Sequence, residues 1–452
     1  MQEKIRALLQ PLAGRRVAIV GFGREGLSSY RLLRRVFPEM PLLVADRNPV
    51  TLPGDDPRTR VVTGEGYLDA CRDCDVLLKS PGIPTFDLDP ALTAKMTCQT
   101  HLFLRALGAQ TVGVTGTKGK STTSSLLHHV LRAAGRDARL VGNIGAPVFD
   151  SLEDATAETV FVYELSCHQL EDSPASPRTA VLLNLHEEHL DHYGTVERYY
   201  AAKKQIFRHQ GPGDFLLYDY GNPHLAPAEI PAGVEALTYS VADPAADLLA
   251  RDGTLRLRTP GGVHTLSLDP ARVPLRGAHN FGNIGVVYAV ARRFGVPDDT
   301  FRRAVETFRG LPHRLEPVGV FGGVEYFDDS ISTIPATAIA GVESLGNVGC
   351  LILGGMERGI DYTPLADFLA ARPVPVVVLL PDTGPRLLAL LRERGVAGRL
   401  LLARDLPDAV ALARRWTKPG TQCLFSPAAA SYHAYRNFEE RGRHFQALLR
   451  GE

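Results

Sequence analysis

The sequence predicts an α/β protein built around parallel sheets, and three observations lead to that class. Short apolar runs alternate along the chain with longer segments of helical periodicity, which is the pattern of strands connected by helices. Two of the runs lead directly into glycine-rich turns followed by a helix, at residues 21–26 and 115–121. The chain has 452 residues, more than one hydrophobic core usually supports, so we expect several domains.

The composition indicates a protein that acts on small molecules. Lysine plus arginine and aspartate plus glutamate both number 50, and a chain without a basic excess is not expected to bind nucleic acid. No apolar run approaches a membrane span, and the first residues lack the apolar stretch of a signal peptide. Six cysteines in a chain of this length do not form a disulfide framework. We therefore expect a cytoplasmic protein without a membrane partner. Separately, we expect it to act as a monomer.

The first predicted domain, residues 1–109, opens with a strand, a glycine turn and a helix. The strand at 16–20 precedes a G-x-G-x-x-G turn, and a second strand at 42–45 ends at Asp46. Such a unit binds a nucleotide or its pyrophosphate at the helix N-terminus, and an NAD site is the competing interpretation. A further strand at 76–79 leads into a sharp loop, SPGIP at 80–84.

The second predicted domain, residues 110–311, carries the most informative segment of the chain, VGVTGTKGKSTT at 112–123. A buried strand, a loop with two glycines, a lysine, a hydroxyl and an amphipathic helix together predict an ATP site. Lys120 would reach the β- and γ-phosphates, and Ser121 or Thr122 would hold Mg2+. The usual pattern GxxxxGK[ST] is not strictly met, because Val114 occupies the position of its first glycine.

Two further strands of this domain, at 159–163 and 180–183, end at Glu164 and Asn184. Because ligands collect at the carboxyl ends of strands in an open α/β sheet, Glu164 and the residues after Asn184 are expected near the phosphates. His186 and His189 follow, around two carboxylates. Their H-x-x-H spacing suits Mg2+ beside ATP better than the zinc of a protease helix.

Two other patterns have competing interpretations. The helix after this segment brings Lys203 back toward the phosphates, although a solvated lysine pair on a surface helix explains it equally well. The pairs Cys71-x-x-Cys74 and Cys98-x-x-His101 have spacings that a zinc site could use. Their apolar and helical surroundings favour cysteines packed in the core.

The third predicted domain, residues 312–452, begins after a Gly-Leu-Pro break at 310–312. Its predicted strands are at 350–353, 374–380, 400–402 and 422–425. No low-complexity linker separates the three segments, and no internal repeat relates them.

Taken together, the motifs resemble those of the Mur ligases, in the family's order and over nearly the whole chain. The segments that carry the resemblance are SPGIP at 80–84, TGTKGKST at 115–122, GNIG at 142–145, ELSCHQLE at 164–171, NLHEEHLDHYG at 184–194, YYAAKKQIF at 199–207, HNFGN at 279–283, GLPHRLE at 310–316 and SPAAASYHAYRNFEERG at 426–442. The resemblance implies ATP and two Mg2+ ions as cofactors, and it replaces the NAD interpretation of the first glycine turn.

The resemblance also implies roles for individual residues. The uridine-diphosphate substrate would contact Gly21, Gly23, Arg24, Glu25, Gly26, Asp46, Arg47, Ser80, Pro81, Gly82, Asn143, Ser166 and Gln169. ATP would contact Gly116, Thr117, Lys118, Gly119, Lys120, Ser121, Thr122, Asn280, Asn283, Arg314 and Asp329. Mg2+ would be held by Ser121, Glu164, His189 and Lys203, the last as a carbamate. Lys120, Glu164, His189 and Lys203 are the catalytic candidates. Glutamate would contact Thr333, Arg358, Ser431, Asn437 and Phe438.

The implied reaction is amide formation through an acyl phosphate, with glutamate added to UDP-N-acetylmuramoyl-L-alanine for peptidoglycan precursor synthesis. Two positions depart from the pattern of the D-glutamate enzymes. Ile331 stands where DSKxT has lysine, and Arg358 stands where GGxxK has lysine. A branch of the family with GREG and DSIST adds L-glutamate. We expect D-glutamate, with L-glutamate as the alternative.

Two hypotheses from other classes are weaker. A folylpolyglutamate synthase shares the central ATP domain but lacks a first domain with GFGREG and an SPAAAS…NFEERG ending. A non-catalytic nucleotide sensor would not need Glu164, His189 and Lys203 together.

Overall fold

The computed structural model describes residues 1–85, 88–188, 190–275 and 277–451. The chain forms two compact units, one of Met1–Val273 with Ala278–Glu306 and the other of Pro274–Gly277 with Thr307–Glu452. The first unit contains two sheets and the second contains one. The predicted α/β class is confirmed. The predicted boundary at residues 109 and 110 falls between the two sheets of the first unit.

The first sheet has five parallel strands in the order β3-β2-β1-β4-β5. Its elements are α1 (Gln2–Leu9), β1 (Val17–Val20), α2 (Arg24–Val36), β2 (Leu42–Asp46), β3 (Thr59–Thr63), β4 (Val76–Lys79), α3 (Pro90–Thr93), β5 (Met96–Thr97) and α4 (Gln99–Leu107). The chain leaves β1 toward β2 on one side and reaches β4 on the other, so a crevice opens at the carboxyl ends of β1 and β4. The first glycine turn lies there.

The turn between β1 and α2 requires glycine for steric reasons. Gly21 has a φ of 86°, which favours a residue without a side chain. A Cβ on Gly26 would lie 2.1 Å from the carbonyl oxygen of Gly21. The first turn of α2 can therefore pack against the end of β1 only because residue 26 has no side chain.

The second sheet has nine strands in the order β14-β13-β12-β11-β10-β9-β6-β8-β7. Its elements are β6 (Thr111–Thr115), α5 (Lys120–Ala133), β7 (Ala138–Gly142), β8 (Val160–Glu164), α6 (Cys167–Leu170), β9 (Thr179–Leu182), α7 (Leu190–Tyr193), α8 (Val196–Arg208), β10 (Phe215–Asp219), β11 (Glu235–Ser240), β12 (Leu248–Arg251), β13 (Thr254–Thr259), β14 (Gly262–Ser267), α9 (Ala278–Arg293) and α10 (Asp298–Thr307). Strands β6 to β12 pair in parallel, and β12, β13 and β14 form an antiparallel meander. Strand β6 lies between β8 and β9, so the loop after β6 is flanked by the ends of both neighbours.

The third sheet has six strands in the order β15-β16-β20-β17-β18-β19, and only the β15–β16 pair is antiparallel among the pairings of this sheet. Its elements are β15 (Glu316–Phe321), β16 (Val324–Asp328), α11 (Pro335–Leu345), β17 (Val348–Gly355), α12 (Thr363–Ala371), β18 (Val376–Asp382), α13 (Gly384–Glu393), β19 (Arg399–Leu402), α14 (Leu406–Trp416), β20 (Gln422–Phe425) and α15 (Phe438–Arg450).

Helices cover both faces of the third sheet. Along β17, Leu351 and Leu353 belong to one apolar cluster, while Cys350 and Ile352 belong to another. Successive side chains of a strand point to opposite faces, so the two clusters are the two sides of a sheet buried on both faces. In the part of the chain that the structure describes, no helix is both long and apolar enough to cross a membrane.

Candidate functional site

The loop between β6 and α5 has the backbone that a phosphate-binding loop needs. Gly116 and Gly119 have φ values of 151° and 86°, and Gly119 is the N-cap of α5. A Cβ on Gly116 would lie 2.8 Å from the Cβ of Leu183, so no larger residue fits there. The amides of the first turn of a helix have no intrahelical acceptor, which makes the N-terminus of α5, directly after the loop, suited to an anion.

Lys120 is the first residue of α5, and its ammonium group lies inside the loop. Its Nζ donates to the carbonyl oxygens of Gly116 and Thr117, each at 2.9 Å. Burial lowers the pKa of Lys120, and the carboxylates of Glu164 and Glu188 oppose that shift. A partly desolvated cation at this position is suited to charge on phosphate oxygens.

Glu164 lies at the end of β8, beside the loop. The residue is 0% exposed. Its Oε1 accepts a hydrogen bond of 2.9 Å from the side-chain amide of Asn143, while Oε2 is buried and has no hydrogen-bond partner among the described residues. A buried carboxylate oxygen without a donor is costly unless a cation or a ligand donor completes it. The donor set therefore fits a hard divalent ion.

Lys203 on α8 is 1% exposed, so the interpretation of it as a solvated surface lysine is wrong. Its Nζ donates at 2.8 Å to the carbonyl oxygen of Gly116, the same atom that Lys120 contacts, and lies 4.9 Å from the ring centroid of Tyr199. Burial, with a smaller effect of Lys120, lowers the pKa of Lys203 to about 7. The neighbouring Lys204 instead pairs with Glu229.

The segment after β9 is hydrogen-bonded to the loop. The amide of Lys118 donates at 2.8 Å to Oδ1 of Asn184, and the amide of His186 donates at 2.9 Å to the hydroxyl of Thr117. Lys118 also forms an ion pair with Glu188. His189, the predicted histidine ligand, lies outside the described residues. Ser121 and Thr122 occupy the first turn of α5, half-buried and buried respectively.

Asn283 on α9 also lies against the loop between β6 and α5. A Cβ on Gly119 would be 2.8 Å from Oδ1 of Asn283. The side-chain amide of Asn283 donates at 3.3 Å to Oδ1 of Asn280. The two asparagines predicted to contact ATP therefore lie on one face at the start of α9, and one of them touches the loop.

The first glycine turn is tied to the ends of two neighbouring strands. The amide of Phe22 donates at 2.6 Å to Oδ2 of Asp46 at the end of β2, and the hydroxyl of Ser80 after β4 donates at 2.8 Å to the carbonyl oxygen of Gly21. Arg47, the residue directly after β2, is exposed. Pro81 is half-buried and Gly82 is exposed. The turn thus has a defined shape with its remaining amides at the N-terminus of α2.

In the second unit, Arg314 lies between two residues in the left-handed region, His313 with a φ of 60° and Leu315 with a φ of 44°. Such values in bulky residues are strained and persist only where surrounding contacts enforce them. Nδ1 of His313 lies 2.7 Å from Oδ2 of Asp328, and the amide of Leu315 donates at 3.1 Å to Oδ1 of Asp329. Two consecutive carboxylates therefore hold the turn that presents Arg314.

Asp329 is 3% exposed and uses its carboxylate within the protein. Oδ2 accepts hydrogen bonds from the hydroxyls of Ser332 at 2.6 Å and Ser426 at 2.7 Å. Burial raises the pKa of Asp329 to about 6, against those hydrogen bonds. In this arrangement Asp329 shapes the turn around Arg314.

Sequence reasoning did not identify the contacts of His313 and Asp328, since nothing in GLPHRLE marks a partner at the end of another strand. Among the described residues, His313, Glu316 and Asp328 form a group whose ligand atoms lie within 4.8 Å of one another. The amide of Gln446 donates to Glu316 at 3.0 Å and to Asp328 at 2.9 Å. The group is thus a hydrogen-bonded cluster that supports the turn.

The residues predicted to contact glutamate lie near the carboxyl end of the third sheet. Arg358 is exposed in the loop after β17. That loop is held by Glu357, whose carboxylate accepts two hydrogen bonds from Arg386, at 2.9 and 2.8 Å. Ser431 is buried after β20, and Thr333 is half-buried.

Two further predicted glutamate contacts begin the last helix. Asn437 is the N-cap of α15, and its side chain accepts from the amide of Glu440 at 2.8 Å. Phe438 is the first residue of that helix, and its carbonyl oxygen accepts at 2.8 Å from the hydroxyl of Ser330. Ile331 carries no polar group here, and its amide donates at 3.1 Å to the carbonyl oxygen of His313.

The cysteine pairs have the surroundings of core residues. All six cysteines are buried and reduced. Burial raises the pKa of Cys71 to about 12 and that of Cys98 to about 11, so both remain thiols at neutral pH. Nε2 of His101 donates a hydrogen bond of 2.9 Å to the carbonyl oxygen of Glu171. Within the described ranges, no zinc-type group of three or more ligands includes these residues.

A glycine-lysine loop at the start of α5, in a unit with parallel sheets, defines a nucleotide-binding α/β protein. The model of the Mur ligase middle domain matches residues 114–291. The UDP-N-acetylmuramoylalanine–D-glutamate ligase of Symbiobacterium thermophilum is 37% identical, over 96% of this chain and 97% of that protein. The UDP-N-acetylmuramoyl-L-alanine–L-glutamate ligase of Salinispora tropica is 36% identical, over 98% and 99%. The chain belongs to the Mur ligase family.

A solved structure has the same fold. The crystal structure of the MurF ligase from Thermotoga maritima in complex with ADP is similar with a TM-score of 0.60 at 18% identity, and both chains are covered over 100% of their length.

Proposed function

We propose that this protein is an ADP-forming ligase that joins glutamate to UDP-N-acetylmuramoyl-L-alanine in peptidoglycan precursor synthesis. The observation that carries the proposal is the arrangement around Gly116. The ammonium groups of Lys120 and Lys203 meet at one carbonyl oxygen, and the carboxylate of Glu164 acts electrostatically on both. A site that only holds a nucleotide does not need a second buried lysine and a buried carboxylate with a free oxygen.

The chemistry explains why ATP is consumed. A carboxylate does not react with an amine, because oxide would have to leave. Transfer of the γ-phosphoryl group to the carboxylate of the muramoyl-alanine produces an acyl phosphate, and attack by the glutamate amine then releases phosphate and forms the amide. Negative charge develops on oxygen in both steps, and the amides of the loop and the ammonium group of Lys120 are positioned to stabilise it.

We assign Mg2+ binding to Ser121, Glu164, His189 and carbamylated Lys203. The free Oε2 of Glu164 supports this assignment. When bound, Mg2+ would neutralise charge on the phosphoryl oxygens and the developing oxyanion. Carbamylation joins the neutral amine of Lys203 to CO2, with loss of a proton, and converts a cation that repels Mg2+ into an anionic ligand.

The remaining contacts are assigned by resemblance. In the first unit, the turn at 21–26, with Asp46, Arg47, Ser80, Asn143, Ser166 and Gln169, is assigned to the UDP substrate, and Asn280 and Asn283 are assigned to ATP. In the second unit, Arg314 and Asp329 are assigned to ATP, and Thr333, Arg358, Ser431, Asn437 and Phe438 to glutamate. The partners are therefore small molecules, and we propose that the protein acts as a monomer.

We propose that the enantiomer that the protein adds is D-glutamate. L-glutamate is a second candidate because of two residues. Ile331 lacks the charge that the D-glutamate pattern has at this position, and Arg358 supplies a planar fork in place of an ammonium. Relatives named for either enantiomer are about equally similar to this chain.

The test is phosphate release with UDP-N-acetylmuramoyl-L-alanine, ATP and each enantiomer of glutamate in turn. Turnover with D-glutamate is the expected result. Turnover with L-glutamate alone would assign the protein to the second candidate, and the absence of ADP formation with either would refute the proposed function.

A further inference from the structure

Glu25 belongs to the turn that is predicted to contact the uridine-diphosphate substrate, but its carboxylate contacts Gln169. Glu25 is the second residue of α2, in the first turn of a helix whose N-terminal amides face the crevice. A carboxylate directed at that crevice would repel a diphosphate. Instead, its Oε1 accepts a hydrogen bond of 2.8 Å from the side-chain amide of Gln169, which lies beyond β8. Its Oε2 is buried and has no partner among the described residues.

Gln169 connects this contact to Glu164. The side-chain Oε1 of Gln169 accepts from the backbone amide of Ser166 at 3.0 Å, and the backbone amide of Gln169 donates to the hydroxyl of Ser166 at 3.2 Å. The two hydrogen bonds form a reciprocal cap of α6. Ser166 is only two residues beyond Glu164. The position of the Gln169 side chain is thus linked to the backbone that presents Glu164.

Arg24 makes a second connection from the same turn. Its guanidinium donates at 2.5 Å to the carbonyl oxygen of Gly145. The same loop contains Asn143, whose side-chain amide donates to Oε1 of Glu164 and whose backbone amide donates to the carbonyl oxygen of Glu164 at 3.0 Å. Two neighbouring residues of the glycine turn therefore contact the two segments that flank Glu164.

The first turn of α2 is also held from behind. The side-chain amide of Gln99 on α4 donates at 2.8 Å to the carbonyl oxygen of Glu25 and at 2.9 Å to the hydroxyl of Ser29. This contact limits how far the helix start can shift by itself. A ligand that orders the amides of the turn would therefore also order the hydrogen bond from Gln169.

We propose that Glu25 is a positioning residue that links ligand binding at the glycine turn to the affinity of the nucleotide site. The link passes through Gln169 and the segment that carries Glu164. The proposal rests on the proposed function, since it takes the ligand of the turn to be a nucleoside diphosphate. Coupling of this kind is reciprocal, so each ligand raises the affinity for the other by the same factor.

The test measures the dissociation constant of ADP with Mg2+ by calorimetry, with and without saturating UDP-N-acetylmuramoyl-L-alanine. The ratio of the two constants is the coupling. We expect Glu25→Ala and Glu25→Asp to lower the ratio about fivefold, the effect of one buried hydrogen bond, because Asp is too short to reach Gln169. Glu25→Gln keeps an oxygen acceptor and is expected to retain most of the coupling.

Glu39→Ala is the matched control, because Glu39 follows α2 in the same unit and its side chain, which is 75% exposed, pairs with Arg58 at the surface. An unchanged ratio in both Glu25→Ala and Glu25→Asp, even with a lower melting temperature, would overturn the proposal and leave Glu25 a structural tether. A wild-type ratio of one would overturn it as well. Failure of the wild type to bind the UDP substrate would instead refute the proposed function, and the inference with it.

Discussion

Replacing Lys203 by alanine is expected to reduce turnover about 10^2- to 10^3-fold, and short carboxylates are expected to restore part of it. The side chain is 1% exposed and its Nζ reaches the carbonyl oxygen of Gly116 at 2.8 Å. Alanine leaves a space at that position which formate, acetate or propionate can fill. A carboxylate placed there carries the charge that the carbamate of Lys203 would carry.

The size of the effect follows from two quantities. Loss of one preorganised electrostatic group costs about 10^2 to 10^3-fold in turnover, which is about 3–4 kcal/mol. The lowered pKa of Lys203, about 7 instead of 10.5, makes the amine reactive. At pH 8, about nine-tenths of amines with a pKa of about 7 are neutral, whereas about 0.3% of ordinary lysine amines are neutral. The neutral amine, which is the nucleophile for CO2, is therefore about 300-fold more abundant at Lys203 than at an ordinary lysine.

The assay is ADP formation in CO2-depleted buffer, followed by addition of bicarbonate or of a short carboxylate. The wild type is expected to lose activity on depletion and to regain it with bicarbonate, and 13C-labelled bicarbonate should produce a carbamate carbon signal in NMR spectra. Lys203→Ala should lack that signal and respond to carboxylates only.

Lys204→Ala is the matched control. Lys204 is the next residue of α8, but its Nζ contacts the two carboxylate oxygens of Glu229 at 2.8 and 2.7 Å. This variant should keep activity within about twofold, because the ion pair of Lys204 with Glu229 does not involve the loop between β6 and α5. Activity of Lys203→Ala close to that of the wild type without added carboxylate would refute the reasoning.

Three further outcomes are expected. Lys120→Ala should reduce ADP formation to background, measured by a coupled ADP assay, and a variant with normal turnover would contradict its assignment to the phosphates. Gly442→Ala should lower the free energy of unfolding by about 1–3 kcal/mol in urea titrations, because the new Cβ would lie 2.1 Å from Nδ1 of His313. Gly211→Ala is the control and should leave the free energy of unfolding nearly unchanged, because nothing lies within 4 Å of its new Cβ. Burial raises the pKa of Asp329 from 3.8 to about 6. Between about pH 4 and pH 6 the folded state therefore holds a proton on Asp329 that the unfolded state has released. The stability that this proton contributes is lost as pH rises from about 4 to about 6. Asp329→Asn should flatten that part of the stability profile, and an identical profile in the variant would show that Asp329 does not titrate there.

The strands that the sequence predicted are those with the strongest local signal. The runs at 76–79, 180–183 and 422–425 match β4, β9 and β20 to within one residue at each end. They are buried on both faces of parallel sheets, so hydrophobicity alone marks them. Strand β3, whose residues are half-buried or exposed, lacks that signal at the edge of its sheet.

The antiparallel meander β12–β14 was also not predicted, although a local signal was present. Asp252 and Gly253 have φ values of 48° and 75°, the conformation that an Asp-Gly hairpin turn adopts. Only the pairing of Leu249 with Arg256 and of Arg256 with Thr265 explains why such polar segments form strands. Pairing energy of this kind comes from neighbours in the sheet and is not visible in one strand.

The sequence by itself determined the glycine turns, the strand-loop-helix at 111–133 and the motifs that identify the family, because each depends on residues close together in the chain. The tertiary structure decided what the side chains at these places do. It buries Lys203 against Gly116, leaves Oε2 of Glu164 without a partner, and turns Glu25 from the crevice toward Gln169. These contacts join residues far apart in sequence, and burial and pKa depend on all the groups that surround an atom. Local patterns therefore name the reacting residues, whereas only the folded chain sets their charges and partners.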